Sequence, residues 1–544
     1  MIFVLQLVTQ RAYAAEPAAT TQADSKPVPR FEDLLPQLIT DDFQKKEAVL
    51  EQLTRTDHPQ LLKTFRYLLN GELYYRKADK RIVHLETSDK GNVAYDILTG
   101  KNLGVVGHFD VRRIGIDNNM RSMLGVEIAK LSLSSKDPKV RLKAVEEMIT
   151  SLDPDSIKLL KARDKIEKNA RVKNHIDVAL ALGNLGHGDN QQRLEAIDFL
   201  GGSLLPEVRI ALKQLLFKDD KGNYLEKDSA IRHEAQLSLR RIDDKVEMYN
   251  VLQTTFFGLS LGSVLLLSAI GLAITFGVMG VINMAHGEMM MLGAYTTYLV
   301  QQMFPGMMDY SLLISIPAAF VVSGLFGIAI ERSVIRWLYG RPLETLLATF
   351  GISLILQQLV RTTISAQNVS VSTPGWMSGS WQINPVFALT YNRLYIVIFS
   401  LVVFIALLLI LKKSVLGLQV RAVSQNRAMA KAMGVRSEWV DALTFGLGSG
   451  IAGIAGVALS QITNVGPNLG QSYIIDSFMV VVFGGVGNLW GTLVGAMSLG
   501  VVNKFIEPWS GAVMAKIMVL VFVILFIQKR PRGLFPQKGR AAES

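Results

Sequence analysis

One otherwise apolar stretch, Val281-Ile282-Asn283-Met284-Ala285-His286-Gly287-Glu288, sets an amide, an imidazole and a carboxylate within six residues. Polar groups in apolar surroundings are costly, so such a set is expected to line or gate a water-filled path, or to form a local hydrogen-bond network. A second stretch, Gly417 to Gly434, is amphipathic, basic and alanine-rich, and it ends on a glycine. It reads as a helix that lies on anionic headgroups. It also reads as a coupling helix seated in a groove of a cytoplasmic partner, with Arg421 and Arg427 meeting acidic residues there. Enzymatic and metal chemistry are not expected. The chain has no cysteine, which excludes thiolate catalysis and cysteine-held metals. His58, His84, His108, His175, His187 and His233 are scattered without a His-x-x-x-His pair, as surface or packed histidines are. No G-x-x-x-x-G-K-[ST] loop occurs, so ATP is not bound here by a Walker A loop, and no cofactor is expected.

The elements that must position these residues are apolar runs long enough to span a bilayer, which takes about 20 residues. Nine are expected, near 252–274, 276–302, 311–331, 344–360, 393–411, 437–461, 474–489, 491–506 and 512–528. Charge agrees. Residues 251–544 hold 18 Lys and Arg and 9 Asp and Glu, against 39 and 37 in residues 1–250. The formal net charge of +11 is therefore no nucleic-acid footprint, because most of the excess sits on the apolar half. Basic clusters at Arg332, Arg336 and Arg341, at Lys412 to Arg436, and at Lys529, Arg530 and Arg532 mark the cytoplasmic ends of spans. An odd number of spans before the first cluster places everything ahead of Val251 outside. Gly258, Gly262, Gly446, Gly450, Gly484, Gly485, Gly491 and Gly495 are expected to allow close helix packing, and some to break helices beside a solute path.

The first half reads as a soluble, mostly helical domain over 31–248. Short strands are expected around Tyr74-Tyr75, Ile82 to Leu85, Val93 to Ile97 and Gly104 to Val106. Asp137-Pro138-Lys139-Val140-Arg141, Leu205-Pro206-Glu207-Val208-Arg209 and Ala230-Ile231-Arg232 resemble the helix starts of HEAT-like repeats. Ahead of this domain, residues 1–15 read as a signal peptide and 16–30 as a flexible spacer. A membrane-spanning domain is expected over 251–530, with a cytoplasmic tail at 531–544.

Gly271-Leu272-Ala273, Gly277 to Glu288 and Leu292-Gly293-Ala294-Tyr295 resemble the signature of the branched-chain amino-acid permeases of ABC importers. Gly417 to Gly434 resembles the ATPase-contacting helix of that family. Arg341 to Gly351, Asp441 to Gly450, Asn464 to Tyr473 and Gln528 to Phe535 are similar to its urea-specific branch. The first permease subunit of that branch also carries a long extracytoplasmic N-terminal extension. The resemblance implies a polytopic α-helical inner-membrane protein of eight to ten spans with its N-terminal domain in the periplasm. It also implies a second permease subunit, two cytoplasmic ATPase subunits and a periplasmic urea-binding protein as partners, with membrane lipid around the spans and no nucleic acid.

Urea is neutral, with one carbonyl acceptor and four N–H donors, and would be met by amides and hydroxyls. Asn283, His286, Thr349 and Gln357 are the expected path residues, chosen from a set that includes Ser353, Gln358, Thr444, Ser449 and Asn488. Glu288 and Asp476 are expected to pair locally or to face water. Arg421, Gln425, Asn426, Arg427, Met433 and Gly434 are the expected ATPase-coupling residues. A permease for branched-chain amino acids or short amides is the alternative, and a gradient-driven transporter or channel is a further one.

Overall fold

A computed structural model describes residues 30–56, 58–88, 91–107, 109–150 and 152–535. The signal peptide, nearly all of the 16–30 spacer, His108 and the tail from 536 lie outside the described residues. The chain divides into two compact units. One holds the described residues up to Ser203 with Glu207–Leu239; the other holds Leu204–Pro206 and Arg240 onward.

The first unit opens with helices α1 (Phe31–Leu34), α2 (Phe43–Thr54) and α3 (Leu61–Asn70). Asp42 caps α2 by accepting from the backbone N–H groups of Gln44 and Lys45. Gly71, at φ 73°, ends α3 in the left-handed conformation that suits glycine. An antiparallel sheet follows, built from β1 (Leu73–Arg76), β2 (Ile82–Ser88), β3 (Gly91–Asp96), β4 (Asn102–Val105) and β5 (Val111–Arg113) in the order β4-β3-β2-β1-β5. Strand β5 is absent from the sequence reading, because three residues with two arginines carry no alternating pattern. Leu50, Phe65, Leu73, Met120 and Leu124 share one buried core.

Helices α4 (Asn118–Leu133), α5 (Pro138–Ile149), α6 (Pro154–Asp164), α7 (Ala170–His187), α8 (Asn190–Leu200) and α9 (Pro206–Gln214) follow the sheet. The three repeat-like motifs each fall at a helix start. Pro138 and Pro206 are the first residues of α5 and α9, and Ile231 lies in the first turn of α10 (Ser229–Met279). The Arg of the first motif is buried. Arg141 grips Glu167 with two hydrogen bonds of 2.8 Å and donates to the carbonyls of Ser135 and Lys136.

The second unit takes in the apolar part of α10, then α11 (His286–Met303), α12 (Met308–Ser333), α13 (Pro342–Thr363), α14 (Tyr391–Lys413), α15 (Val415–Gln425) and α16 (Arg427–Ala432). Helices α17 (Ser437–Ser460), α18 (Leu469–Gly484), α19 (Leu489–Ser510) and α20 (Ala512–Lys529) complete it. A short hairpin of β6 (Ser380–Gln382) and β7 (Ala388–Thr390) lies in the uncharged loop before α14. Seven helices among the described residues are long and apolar enough to cross a bilayer. Of the other two expected spans, α18 has only 16 residues, and α11 opens on His286-Gly287-Glu288.

Two expectations are corrected here. The span at 276–302 is not one helix: α10 runs to Met279, and the chain leaves helical geometry until His286. Gly280 makes the break at φ 66°, a conformation with little steric cost only for glycine. The helix expected over 417–434 is likewise two, α15 and α16, parted at Asn426, which is extended and caps α16 by accepting from Met429 N–H.

Helix burial sorts the bundle. The most apolar window of α17 is 83% buried, while those of α14 and α20 are 22% and 17% buried. Helix α17 is therefore the axis, and α14 and α20 lie on the outside of the bundle. Small residues let neighbours reach the axis: a Cβ on Gly453 would stand 2.6 Å from the Ala319 carbonyl oxygen of α12, and one on Gly293 of α11 would collide with the Gly453 backbone.

Candidate functional site

The break between α10 and α11 leaves backbone N–H groups to be satisfied, and polar side chains do this. Asn283 accepts from Ala285 N–H at 3.0 Å, and Thr349 Oγ1, on α13, accepts from Met284 N–H at 3.1 Å. Thr349, Ser353 and Gln357 recur every four residues, so they share the face of α13 turned to the break. On that face Ser353 Oγ and Gln357 Nε2 donate to Glu288 Oε1 at 2.9 and 2.8 Å. Gln357 Nε2 also lies 3.3 Å from Ser353 Oγ. Glu288 is buried, and its Oε2 has no hydrogen-bond partner among the described residues.

His286 turns the other way. Its Nε2 lies 2.9 Å from the Ser268 carbonyl oxygen of α10. A carbonyl only accepts, so Nε2 carries the proton, and Nδ1 is the acceptor. That Nδ1 is buried without a partner among the described residues. Ser268 is tied in turn to Ser477 of α18 at 2.7 Å.

The structure thus brings Asn283, Thr349 and Gln357 to one side of the break and sets His286 on the other. Asn283 and Thr349 hold the broken backbone; Glu288 and His286 keep unused hydrogen-bonding capacity. Glu288 pairs locally, but with neutral groups, and Asp476 pairs with Lys516 at 2.9 Å. Ser353 and Ser268 are the partners that the sequence reading did not select. The four-residue spacing of Thr349, Ser353 and Gln357 carried the signal for the first; nothing local marks the second. Gln358 is exposed, Asn488 caps α19, and Ser449 Oγ is buried beside Gly327 without a hydrogen bond.

The basic segment is anchored from within the chain. Ser414 caps α15, whose Val420 and Val423 pack with Ala430 of α16 and Val440 of α17. Arg421 donates to the Leu411 carbonyl. Arg427 pairs with the buried Asp441 of α17 and stands 3.9 Å over the Tyr339 ring. Arg427 meets its acid inside this chain, 14 residues away in sequence, where no helical periodicity could reveal it. The segment leaves both apolar and basic groups outward: Leu418, Met429 and Met433 are exposed, and so are Arg421, Gln425 and Lys431. Gly434, at φ 87°, closes α16 as Val435 N–H donates to the Ala430 carbonyl.

Residues 254–528 match the family described as "Branched-chain amino acid transport system / permease component". The chain is 31% identical over 297 residues to the high-affinity branched-chain amino acid transport system permease protein BraD of Pseudomonas aeruginosa, covering 53% of this chain and 96% of that protein. It is 29% identical over 293 residues to the corresponding LivH protein of Escherichia coli, covering 52% and 94%. No solved structure matches it. These relatives are membrane transport subunits and not enzymes, and the break at 280–285, the α13 face and the α15–α16 segment all lie inside the matched region. The chain belongs to the branched-chain amino acid transport permease family.

Proposed function

We propose that this chain is the membrane-spanning permease subunit of an ATP-driven ABC importer for a small nitrogenous solute, with branched-chain amino acids the substrate class its relatives favour. The match over 254–528 carries this reading. With no Walker A loop of its own, the chain takes its energy from two cytoplasmic ATPase subunits. A second permease subunit completes the path, and a substrate-binding protein delivers the solute. In this reading the basic span ends and the C-terminus are cytoplasmic, and the first unit, with its HEAT-like helix starts, is periplasmic and docks the binding protein.

Mechanism follows the connections. ATPase closure moves α15–α16 through the exposed Leu418, Met429 and Met433. Arg427–Asp441 and the Val420–Val440 cluster pass that motion to α17. The glycine contact of α17 with α11 carries it to the break, where Asn283, Thr349, Gln357 and Glu288 meet the solute.

Urea is the second reading, and two observations favour it beyond the similar segments. The alignment uses 96% of BraD and only 53% of this chain, so the first unit has no counterpart there, as expected of the extended urea-specific subunit. The neutral partners around Glu288 also suit a neutral solute. Competition decides between the two: the assembled complex taking up labelled solute should be blocked by leucine in the first reading and by urea in the second. Blockade by neither removes both.

A further inference from the structure

Where the ends of α10 and α14 meet α15 and the turn before α19, the second unit holds a cleft of about 890 Å³. That is within the range of small-molecule sites, roughly 300–1,000 Å³. Its lining has two characters. Lys412, in the last turn of α14, and Arg421, on α15, supply two cations, and among the described residues no Asp or Glu lines the cleft. Both are exposed, and among the described residues neither is paired with a carboxylate. Gln425 and Asn488 add neutral hydrogen-bonding groups beside them. Apart from Ser424 the remaining wall is apolar, and includes Leu408 and Leu411 of α14 and Leu489. Trp490 stands at this wall, 54% exposed and edge-on to Phe404 at 5.4 Å.

A soluble anion has no use for the leucine wall, and an apolar peptide has none for the two cations. An amphiphile with a negative head uses both. The surroundings supply one. Helix α14 is among the least covered of the bundle, and Ile405, Leu409 and Ile410 are exposed next to the lining residues. The cleft therefore opens from an outer, apolar helix onto its basic end, the position at which indole rings and cations of membrane proteins meet headgroups.

We propose that this cleft binds a phospholipid with an anionic headgroup. Its phosphate sits on Lys412 and Arg421, its polar head on Gln425 and Asn488, and its acyl chains run along Leu408 and Leu411 toward the outside of α14. This goes beyond the transport reading and holds for either solute.

The test uses the purified full chain in nanodiscs, with acyl-brominated phosphatidylglycerol as the probe and tryptophan fluorescence as the readout. Brominated phosphatidylglycerol should quench more than brominated phosphatidylcholine at equal mole fraction, and Trp490→Phe should remove the difference. Lys412→Gln and Arg421→Gln should each raise the half-saturating lipid fraction about five-fold, as expected for one basic residue at a membrane surface. Arg421→Lys keeps the charge and should retain binding, which separates loss of the site from loss of the fold. Lys529→Gln, at a basic end outside the cleft, should change nothing. Equal quenching by the two lipids, or equal loss in Lys529→Gln, overturns the proposal. So does displacement of the lipid by glycerol 3-phosphate at the same concentration, which would make the site one for a soluble phosphate.

Discussion

Glu167 in the first unit and Glu288 in the second are both buried carboxylates, and they are held in opposite ways. Both oxygens of Glu167 are saturated: Arg141 takes one each, Arg163 adds two more bonds, and the backbone N–H groups of Lys168 and Asn169 complete the set. Among the described residues Glu288 has only two donors, both neutral and both on one oxygen. The difference teaches which carboxylate is a fastener and which is held ready. Full satisfaction by two cations locks the α6–α7 corner; partial satisfaction at a broken helix leaves capacity for a solute or a moving neighbour.

The largest expected effect comes from breaking the fastener. Arg141→Ala strips the buried Glu167 of two of its six hydrogen bonds and one of its two cations, at a cost of about 3–5 kcal/mol. Hydrogen exchange of the full chain should show protection lost across α5 to α7, with the second unit unchanged. Arg427→Ala comes next. It strands Asp441 inside the bundle, but a third of Arg427 is exposed, so the cost should sit at the low end, about 3 kcal/mol. Its mark should be an ATPase rate that no longer responds to solute. An unchanged response would remove Arg427–Asp441 from the coupling route.

The third effect is pH dependence. Hydrogen bonds from Arg141 hold the Glu167 carboxyl down at about 2 rather than its ordinary 4.5. A depressed value means that its stabilisation is fully present above pH about 4.5 and is lost as pH falls toward 2. Exchange at α6–α7 should rise over that window, and Glu167→Gln should flatten the dependence.

Glu288→Gln should show the smallest structural effect. It keeps the side-chain shape and should change thermal stability by no more than about 1 kcal/mol. Uptake should fall about tenfold, the size of one lost hydrogen bond to a charged group. If it instead unfolds the chain as Arg141→Ala does, the contrast between the two carboxylates is wrong.

The sequence showed the apolar spans, the polar set at 283–288 and the basic segment, because each is a pattern within one element. Helix starts such as Asp137-Pro138 were legible for the same reason. A helix break at 281–288 was anticipated from its polar residues, although the expected span ran through it; the kink at Asn426 was not, since periodicity runs on through a short interruption. Ser353 and Gln357 reach Glu288 from 65 and 69 residues away, and Asp441 meets Arg427 across a turn. Such pairings are made by packing, and only the four-residue spacing on α13 hinted at one. The first unit's sheet was read as strands but not as five, because β5 is too short to show alternation.

In the proposed reading, partner ATPases acting on α15–α16 drive transport through this chain. The measurement is accumulation of labelled leucine and labelled urea in proteoliposomes holding the permease pair, the ATPases and the binding protein. Accumulation is expected to require ATP, and Met429→Glu with Met433→Glu is expected to abolish it while the chain still folds. Uptake that proceeds equally without ATP, or that survives the double substitution unchanged, would contradict it.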